Sequence, residues 1–365
     1  MGIQTLLPAL VVTFVVTVAV MLAMYPLAIR IGLIDHPGGR KRHGATVPLI
    51  GGLAMFAGMT VGISLIDPPT MGFVSALVAG FLMVAIGAID DSISLPPVTR
   101  VITQISAVLI MIYGAGLQLA DIGSPFGTGI ISMQQFSVVF TIVVSLTMIN
   151  AYNLVDGLDG LAGLMAAIAL LCIAIVAGPG NVFGGTAMVA LAAIAGFLVF
   201  NLPVGWNRSV RSFMGDAGST LLGLAIVWVT LGIAQGAERV ISPVHCLWFA
   251  ALPVFDCLSC FVCRILKKKS PFTPGRDHFH HSLRRGGFGV RATVQILVGF
   301  QATYAIVGLT GYFAGVPDVV MFALWSILGL SQRWVIRTIA KSHRLTLLSL
   351  ARSRQLARQN ETAST

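Results

Sequence analysis

Eleven apolar runs, separated by short polar loops, constrain the fold of this chain more than any other feature. They begin near residues 5, 48, 72, 101, 136, 160, 183, 217, 243, 293 and 318. Each run provides about the 20 apolar residues that a helix needs to cross a bilayer. We therefore predict an all-α integral membrane protein with about eleven transmembrane helices.

The composition agrees with a membrane protein and excludes several other classes. Of the 365 residues, 56% are hydrophobic and 10% are charged, whereas soluble domains carry about 25% charged residues. A soluble enzyme and a disordered chain are therefore excluded. The net charge of +10 is better explained by membrane orientation than by nucleic acid, which we do not expect as a partner.

The basic residues are concentrated in alternate loops. Of the 23 lysines and arginines, 22 fall in one set of loops and the tail, and Arg239 alone falls in the other set. The positive-inside rule places the basic set in the cytoplasm. With eleven spans, we predict a periplasmic N-terminus and a cytoplasmic C-terminus.

The chain divides into two parts of different character. We expect residues 1–335 to form one membrane domain whose polar chemistry lies in the cytoplasmic loops. The basic tail, residues 336–365, has the pattern of an amphipathic helix on anionic membrane lipid. Cys257, Cys260 and Cys263 follow a C-x-x-C-x-x-C pattern, which we interpret as apolar packing residues rather than as metal ligands.

Adjacent carboxylates end the third apolar run. Asp90 and Asp91 lie at a predicted membrane boundary, where their repulsion requires a compensating positive charge. A divalent cation and Arg100 are the two simplest sources of that charge. A solvated pair at a helix end is the alternative.

The loop NAYNLVDGLDGLAG carries a polar residue at every third position, namely Asn150, Asn153, Asp156 and Asp159. On a helix, this spacing brings the polar side chains into one cluster. The glycines between them allow the backbone to approach a ligand closely. We predict a binding site here rather than a simple connecting turn.

Asp216 opens the eighth apolar run in the segment FMGDAGS. A carboxylate at this position is either a helix cap or a metal ligand beside a helix N-terminus that accepts phosphate, and we favour the metal ligand. Phe213, three residues earlier, offers a flat ring to a base or simply contributes to the core.

The longest basic loop contains His278, His280 and His281, close to arginines that include Arg276. Three histidines are a candidate zinc site. The surrounding positive charge favours an anion instead, so we predict a phosphate clamp. A basic loop resting on anionic lipid is a further alternative.

Taken together, these carboxylates and basic side chains are the groups that Mg²⁺-dependent chemistry on phosphates requires. They are concentrated at one membrane face. A multipass transporter of anionic substrates is the alternative from another class, but transporters more often hold charged groups near the bilayer midplane.

These segments resemble the polyprenyl-phosphate N-acetylhexosamine-1-phosphate transferase superfamily, and within it the WecA-type enzymes. The resemblance covers residues 1 to about 335 and excludes the tail. The segments that carry it are IDHPGGRKRHGATVPLIGG (34–52), Asp90–Asp91, NAYNLVDGLDG (150–160), FMGDAGS (213–219) and PFTPGRDHFHH (271–281).

The resemblance implies a role for each matching position. The implied catalytic residues are Asp90, Asp91, Asp156, Asp159, His278, His280 and His281. The implied ligands of Mg²⁺, or of Mn²⁺ in its place, are Asp216 and Asp91. The implied substrate-binding residues are Asn150, Asn153, Phe213, Arg276, Arg40, Lys41, Arg42 and His43, with the Phe213 ring stacked on uracil.

The resemblance also implies a reaction and a place in the cell. N-acetylhexosamine 1-phosphate, above all GlcNAc 1-phosphate, would pass from a UDP-sugar to undecaprenyl phosphate with release of UMP, which begins a surface polysaccharide such as O antigen. The enzyme would lie in the bacterial inner membrane with its active site in the cytoplasm, and a homodimer is conceivable.

Two positions depart from the family pattern, because Ser94 stands where a third Asp is common and Arg100 where a Lys follows. These changes leave the identity of the transferred sugar undecided. The same chemistry with UDP-MurNAc-pentapeptide or a UDP-deoxy-hexosamine is the alternative.

Overall fold

The computed structural model describes residues 3–35, 46–66, 70–202, 212–236, 239–268, 275 and 277–363. In these ranges the regular structure is helical apart from one short hairpin. The α-helices are α1 (Ile3–Ile31), α2 (Gly51–Ile66), α3 (Met71–Ile93), α4 (Pro97–Ala115), α5 (Ser137–Val155), α6 (Leu161–Ala177), α7 (Val182–Asn201), α8 (Gly215–Ala234), α9 (Pro243–Cys246), α10 (Ala251–Leu266), α11 (Phe279–Arg285), α12 (Val290–Phe313) and α13 (Asp318–Ala363). The hairpin pairs β1 (Ile34–Asp35) with β2 (Val47–Pro48) in antiparallel register.

Eight helices of the described chain are long and apolar enough to cross a membrane, namely α1, α3, α4, α5, α7, α8, α12 and α13. The other three predicted runs form α2, α6 and α10, with 16, 17 and 16 residues. These three are shorter than the roughly 20 residues of a full span. The all-α membrane fold is therefore confirmed, and eight of its helices have full spanning length.

Local sequence signals set the helix ends. Thr70 caps α3, because its hydroxyl oxygen accepts a hydrogen bond from Phe73 N at 3.1 Å. Pro97 begins α4, where the missing N–H would have no helical partner in any case. Gly116 ends α4 with φ +69°, a conformation that glycine adopts without strain.

Helix α8 is the centre of the bundle. It packs against α2, α3, α5, α6 and α7, and most of its side chains are buried. Glycines permit the close crossings, since a side chain at Gly87 would overlap the backbone of Ala217, and one at Gly52 would overlap the backbone of Gly218. The first turn of α8 is therefore held in the middle of one end of the bundle.

The loops gather at two opposite ends of the bundle. At one end, which we call the basic end, Phe213 N donates to Pro48 O and Gly51 N donates to Phe213 O, both at 3.0 Å. These bonds join β2 to the start of α8. At the opposite end, Arg239 pairs with Asp121 at 2.9 Å, so the one basic residue of that loop set is neutralised.

Helix α13 runs without a break from the last apolar run into the basic tail. The predicted boundary at residue 336 thus falls inside a helix. The part beyond this boundary packs on the basic end: the His343 ring stacks on Phe288 with centroids 3.8 Å apart, and its Nδ1 lies 2.9 Å from Gly286 O.

Candidate active site

Three carboxylates from two helices meet at the basic end. Asp90 and Asp91 lie in the last turn of α3, and Asp216 lies in the first turn of α8. Asp91 Oδ1 accepts a hydrogen bond from the backbone N–H of Asp216 at 2.9 Å. Arg100 of α4 joins them, with Nη1 3.1 Å from Asp90 Oδ2 and 3.6 Å from Asp216 Oδ2.

The two adjacent aspartates have different surroundings. Asp90 is buried, accepts a hydrogen bond from Leu95 N at 2.5 Å through Oδ1 and pairs with Arg100 through Oδ2. A solvated pair is therefore wrong for Asp90, because Arg100 supplies the compensating charge. Asp91 instead lies against the first turn of α8.

Helix α5 adds an amide to the cluster. Asn153 Nδ2 donates to Asp216 Oδ1 at 2.8 Å and to Ser219 Oγ at 3.0 Å. Asn150, one turn earlier, donates instead to Gln104 Oε1 of α4 at 2.8 Å. The structure thus brings Asn153 to the carboxylates and turns Asn150 towards a neighbouring helix.

The prediction that one helix brings all four polar residues into a cluster is wrong. Helix α5 ends at Val155, so Asp156 and Asp159 lie in the turn that follows it. Gly160 has φ +76°, which glycine adopts readily and a continuing helix does not. The three-residue spacing therefore describes a helix end and a turn.

Asp156 remains within electrostatic reach of the other carboxylates. Burial, followed by the negative charges of Asp216, Asp91 and Asp159, raises the pKa of Asp156 to about 8. A carboxyl group with this pKa holds a proton in most molecules at neutral pH. It therefore has the proton affinity that acid–base chemistry requires.

The histidine motif lies beside the same turn. A Cβ at Gly157 would stand 2.6 Å from His280 Nε2. The rings of His278 and His280 stack with centroids 5.9 Å apart, and His281 lies 4.2 Å from His280. Burial, followed by the charges of His281 and His278, lowers the pKa of His280 to about 3, so His280 is neutral at physiological pH.

Asp256 of α10 stands behind this motif. His278 Nδ1 lies 3.1 Å from Asp256 Oδ2, and Phe279 N donates to Oδ1 at 3.0 Å. Cys260 Sγ is 3.5 Å from the same Nδ1. Asp256 has no predicted role and Cys260 is predicted only to pack, although a single carboxylate inside an apolar run is a signal that could reveal both.

The histidines alone do not form the zinc site considered as an alternative. Among the described residues, the group whose ligand atoms lie close enough for an ion is Asp256, Cys260 and His278, within 4.8 Å of one another. Arg333 Nη1 lies 3.6 Å from Cys260 Sγ. This guanidinium disfavours a further cation at the same place.

The structure does not test the substrate-binding roles predicted for several residues. Phe213 is half-buried and packs partly on the core, so its stacking on uracil stays a prediction. A further predicted set falls outside the described residues, namely Arg40, Lys41, Arg42, His43 and Arg276.

The oxygen atoms of the cluster fit a hard divalent cation. Mg²⁺ prefers carboxylate oxygens and keeps waters and phosphates as its other ligands. Arg100 offsets one of the three carboxylate charges, and a divalent cation would balance the negative charge that remains. Asp91 and Asp216 are the side chains that would hold the ion.

Comparisons with known proteins decide the family. Residues 73–234 match the sequence model of glycosyl transferase family 4. The chain is 33% identical over 332 residues to the undecaprenyl-phosphate alpha-N-acetylglucosaminyl 1-phosphate transferase of Salmonella typhi, with 89% of each chain covered. The enzymes with the same name from Yersinia pestis and Escherichia coli strain K12 are each 32% identical to this chain over 333 residues. Each alignment covers 89% of this chain. It covers 90% of the Yersinia pestis enzyme and 89% of the Escherichia coli enzyme.

This chain belongs to glycosyl transferase family 4. The family resemblance of its motifs is therefore confirmed. The glycosyl transferase family 4 match includes the three carboxylates of α3 and α8 and the turn after α5, whereas Asp256 and the histidine motif lie beyond it. The contact between His280 and Gly157 joins these two parts of the site.

Proposed function

We propose that this protein transfers N-acetylglucosamine 1-phosphate from UDP-N-acetylglucosamine to undecaprenyl phosphate and releases UMP. The observation that carries the proposal is that Asp91, Asp216 and the histidine motif lie together at one end of a membrane bundle. The chain is also 33% identical to an undecaprenyl-phosphate alpha-N-acetylglucosaminyl 1-phosphate transferase. The product would begin a lipid-linked surface polysaccharide.

The chemistry is an in-line phosphoryl transfer. An oxygen of the lipid phosphate attacks the β-phosphorus of the UDP-sugar, the bond from that phosphorus to the bridging oxygen breaks, and UMP leaves with the electron pair. Asp91 and Asp216 would hold Mg²⁺, which neutralises charge on the phosphate oxygens when bound. Arg100 holds Asp90 and Asp216 in place from α4.

The histidine motif is suited to the diphosphate. His280 Nδ1 is buried and has no hydrogen-bond partner among the described residues. A buried polar nitrogen without a partner costs free energy, so a phosphate oxygen at this place would satisfy it. Because His280 is neutral, it binds phosphate through a hydrogen bond, and the charge comes from the neighbouring basic groups.

The basic end lies in the cytoplasm in this proposal, and the protein lies in the bacterial inner membrane. The distribution of 22 basic residues to one set of loops and the tail supports this orientation. The nucleotide sugar then arrives from the cytosol and the lipid phosphate from the inner leaflet. Eleven crossings, with the shorter helices α2, α6 and α10 included, satisfy this topology.

Release of UMP by the purified protein tests the proposal. The reaction contains UDP-N-acetylglucosamine, undecaprenyl phosphate and Mg²⁺, and matched reactions omit the lipid or contain EDTA. UMP should form only in the complete reaction. Parallel reactions with UDP-MurNAc-pentapeptide and a UDP-deoxy-hexosamine decide the sugar, and uptake of UDP-sugar into proteoliposomes without UMP release would favour a transporter instead.

A further inference from the structure

We propose that Asp256 is a positioning residue of this active site, which holds the imidazole of His278 in one orientation so that the histidine motif meets the diphosphate of the substrate. The inference deepens the proposed function and rests on it. Asp256 belongs to α10, a helix that lies outside the family match.

The Asp256 carboxylate is itself held at two points. Oδ2 lies 3.1 Å from His278 Nδ1, and Oδ1 accepts the backbone N–H of Phe279 at 3.0 Å. His278 is the N-cap residue of α11, and Phe279 is its first residue. The carboxylate therefore fixes both the ring of His278 and the start of the helix that carries His280 and His281.

A second side chain of α10 lies beside the same imidazole. Cys260, one turn after Asp256 on α10, lies 3.5 Å from His278 Nδ1 through Sγ. Arg333 of α13 donates to Ser259 Oγ at 3.2 Å and lies 3.6 Å from Cys260 Sγ. Two side chains of α10 therefore hold the His278 imidazole, and Arg333 of α13 contacts one of them, so rotation of the ring would break its contacts with both Asp256 and Cys260.

The charge of His278 follows from this arrangement. Burial alone would lower the pKa of His278, but hydrogen bonds to Asp256 and Cys260 and the negative charge of Asp256 outweigh burial and raise the pKa to about 10. His278 thus carries a proton on both ring nitrogens at neutral pH. With Nδ1 directed at Asp256, the second N–H remains for a phosphate oxygen.

The effect of Asp256 extends along the row of histidines. His278 stacks on His280 with an angle of 8° between the rings, and its positive charge helps to keep His280 neutral. The groups that face His278 are Asp256 and Cys260 from α10, His280 and His281 from α11, and, through Cys260, Arg333 from α13.

An ion pair describes this cluster better than a bound metal. The two carboxylate oxygens already have partners in His278 and the backbone of Phe279. Arg333 brings a positive charge beside the thiol, where a dication would be repelled. Zinc bound at a 1:1 ratio in the purified protein would overturn this interpretation.

Asp256→Asn is the decisive variant, because it preserves the size of the side chain and removes the charge. We expect kcat for UMP release to fall by about 10–100-fold, the order of loss that follows removal of the partner that orients a metal-bound histidine, with a smaller change in KM. The alkaline limb of the pH profile should move from near pH 10 to lower pH. Asp256→Glu should recover part of the activity.

Asp318→Asn provides a matched control. Asp318 also pairs with a buried histidine, His245, at 3.3 Å, but at the opposite end of the bundle. If Asp256 were only structural, both variants would lose thermal stability and neither would shift the pH profile. We expect a shifted profile for Asp256→Asn alone, and an unshifted one overturns the proposal.

A measurement without substrate separates this inference from the proposed function. In protein labelled with ¹⁵N-histidine, the signal that disappears in His278→Ala should titrate near pH 10 in the parent protein and closer to pH 6.5 in Asp256→Asn. A parent signal that titrates near 6.5 overturns the Asp256 proposal. A wild-type protein that shows the expected titration but releases no UMP overturns the proposed function alone.

Discussion

The carboxylate of Asp91 packs directly against Gly215, so that a Cβ added at Gly215 would overlap Asp91 Oδ2. Gly215 also has φ +68°, in the left-handed region that favours glycine. This close approach lets Asp91 Oδ1 accept the N–H of Asp216 at 2.9 Å. The end of α3 and the start of α8 therefore meet at a position that tolerates no side chain.

We predict that Gly215→Ala abolishes most activity. The added methyl group displaces Asp91, and a misplacement of about 1 Å at a reacting centre costs on the order of 100-fold in rate. The positive φ adds about 1–3 kcal/mol of strain. UMP release and the thermal midpoint measure the two effects.

Gly236→Ala is the control for this prediction. Gly236 has φ +80° but no atom within 4 Å of its added Cβ, and it lies at the opposite end of the bundle. Gly236→Ala should lose stability through the backbone strain alone and keep its activity. Equal kcat/KM for Gly215→Ala and the parent protein would show that Asp91 need not lie against α8.

Asp216→Asn should remove activity and leave the fold intact. Asparagine keeps an oxygen that accepts the Asn153 amide, which now donates to Asp216 Oδ1 at 2.8 Å, but it loses the charge that binds Mg²⁺. Loss of several kcal/mol of ion binding corresponds to about 1,000-fold in kcat. Saturating UDP-sugar should not restore the rate, and Asp216→Glu should retain a trace that increases with Mn²⁺.

Asp121→Asn is the matched control, because Asp121 is a carboxylate paired with Arg239 at the opposite end. Its kcat should equal that of the parent protein. If Asp216→Asn keeps substantial Mg²⁺-dependent turnover, Asp216 does not hold the ion, and the ion is held by Asp91 or Asp156.

Cysteine labelling in intact cells tests the orientation. Thr128 is exposed at the end that contains Asp121, and Lys267 is exposed at the basic end. A membrane-impermeant thiol reagent should label Thr128→Cys from outside and should label Lys267→Cys only after lysis, with the parent protein as the background. The reverse pattern would place the active site in the periplasm.

His280 should make the protein less stable in acid. Its folded pKa of about 3 lies below its unfolded value of about 6.5, so between these values the unfolded chain binds a proton that the folded protein does not. Stability is therefore lost as the pH falls from 6.5 towards 3, by up to about 1.4 kcal/mol per pH unit from this group. Thermal midpoints of His280→Gln should fall less steeply from pH 6.5 to 4.5, and identical slopes would contradict the prediction.

Much of the site could be predicted from the sequence because its residues are polar in an apolar chain. Asp90, Asp91, Asn153 and Asp216 stand out at the ends of apolar runs, and the structure brings all four together. Their separation along the chain did not matter, because alternate loops of a membrane bundle share one face.

The sequence did not reveal which neighbour each side chain meets. Asn150 and Asn153 look equivalent in the sequence, yet one bonds Gln104 and the other bonds Asp216. Periodicity gives the angle between two residues on a helix. It does not give the rotation of that helix against its neighbours, which depends on packing.

The sequence by itself therefore determined the membrane class, the alternation of the loops and the residue types at the basic end, because hydropathy and charge are local properties of the chain. Only the tertiary structure separated buried Asp90 from Asp91 and paired Asp256 with His278, 22 residues away. It also set Asp91 beside Asp216, 125 residues away. Asp91 meets Asp216 where α3 crosses α8, and Gly87 allows the two backbones to approach there.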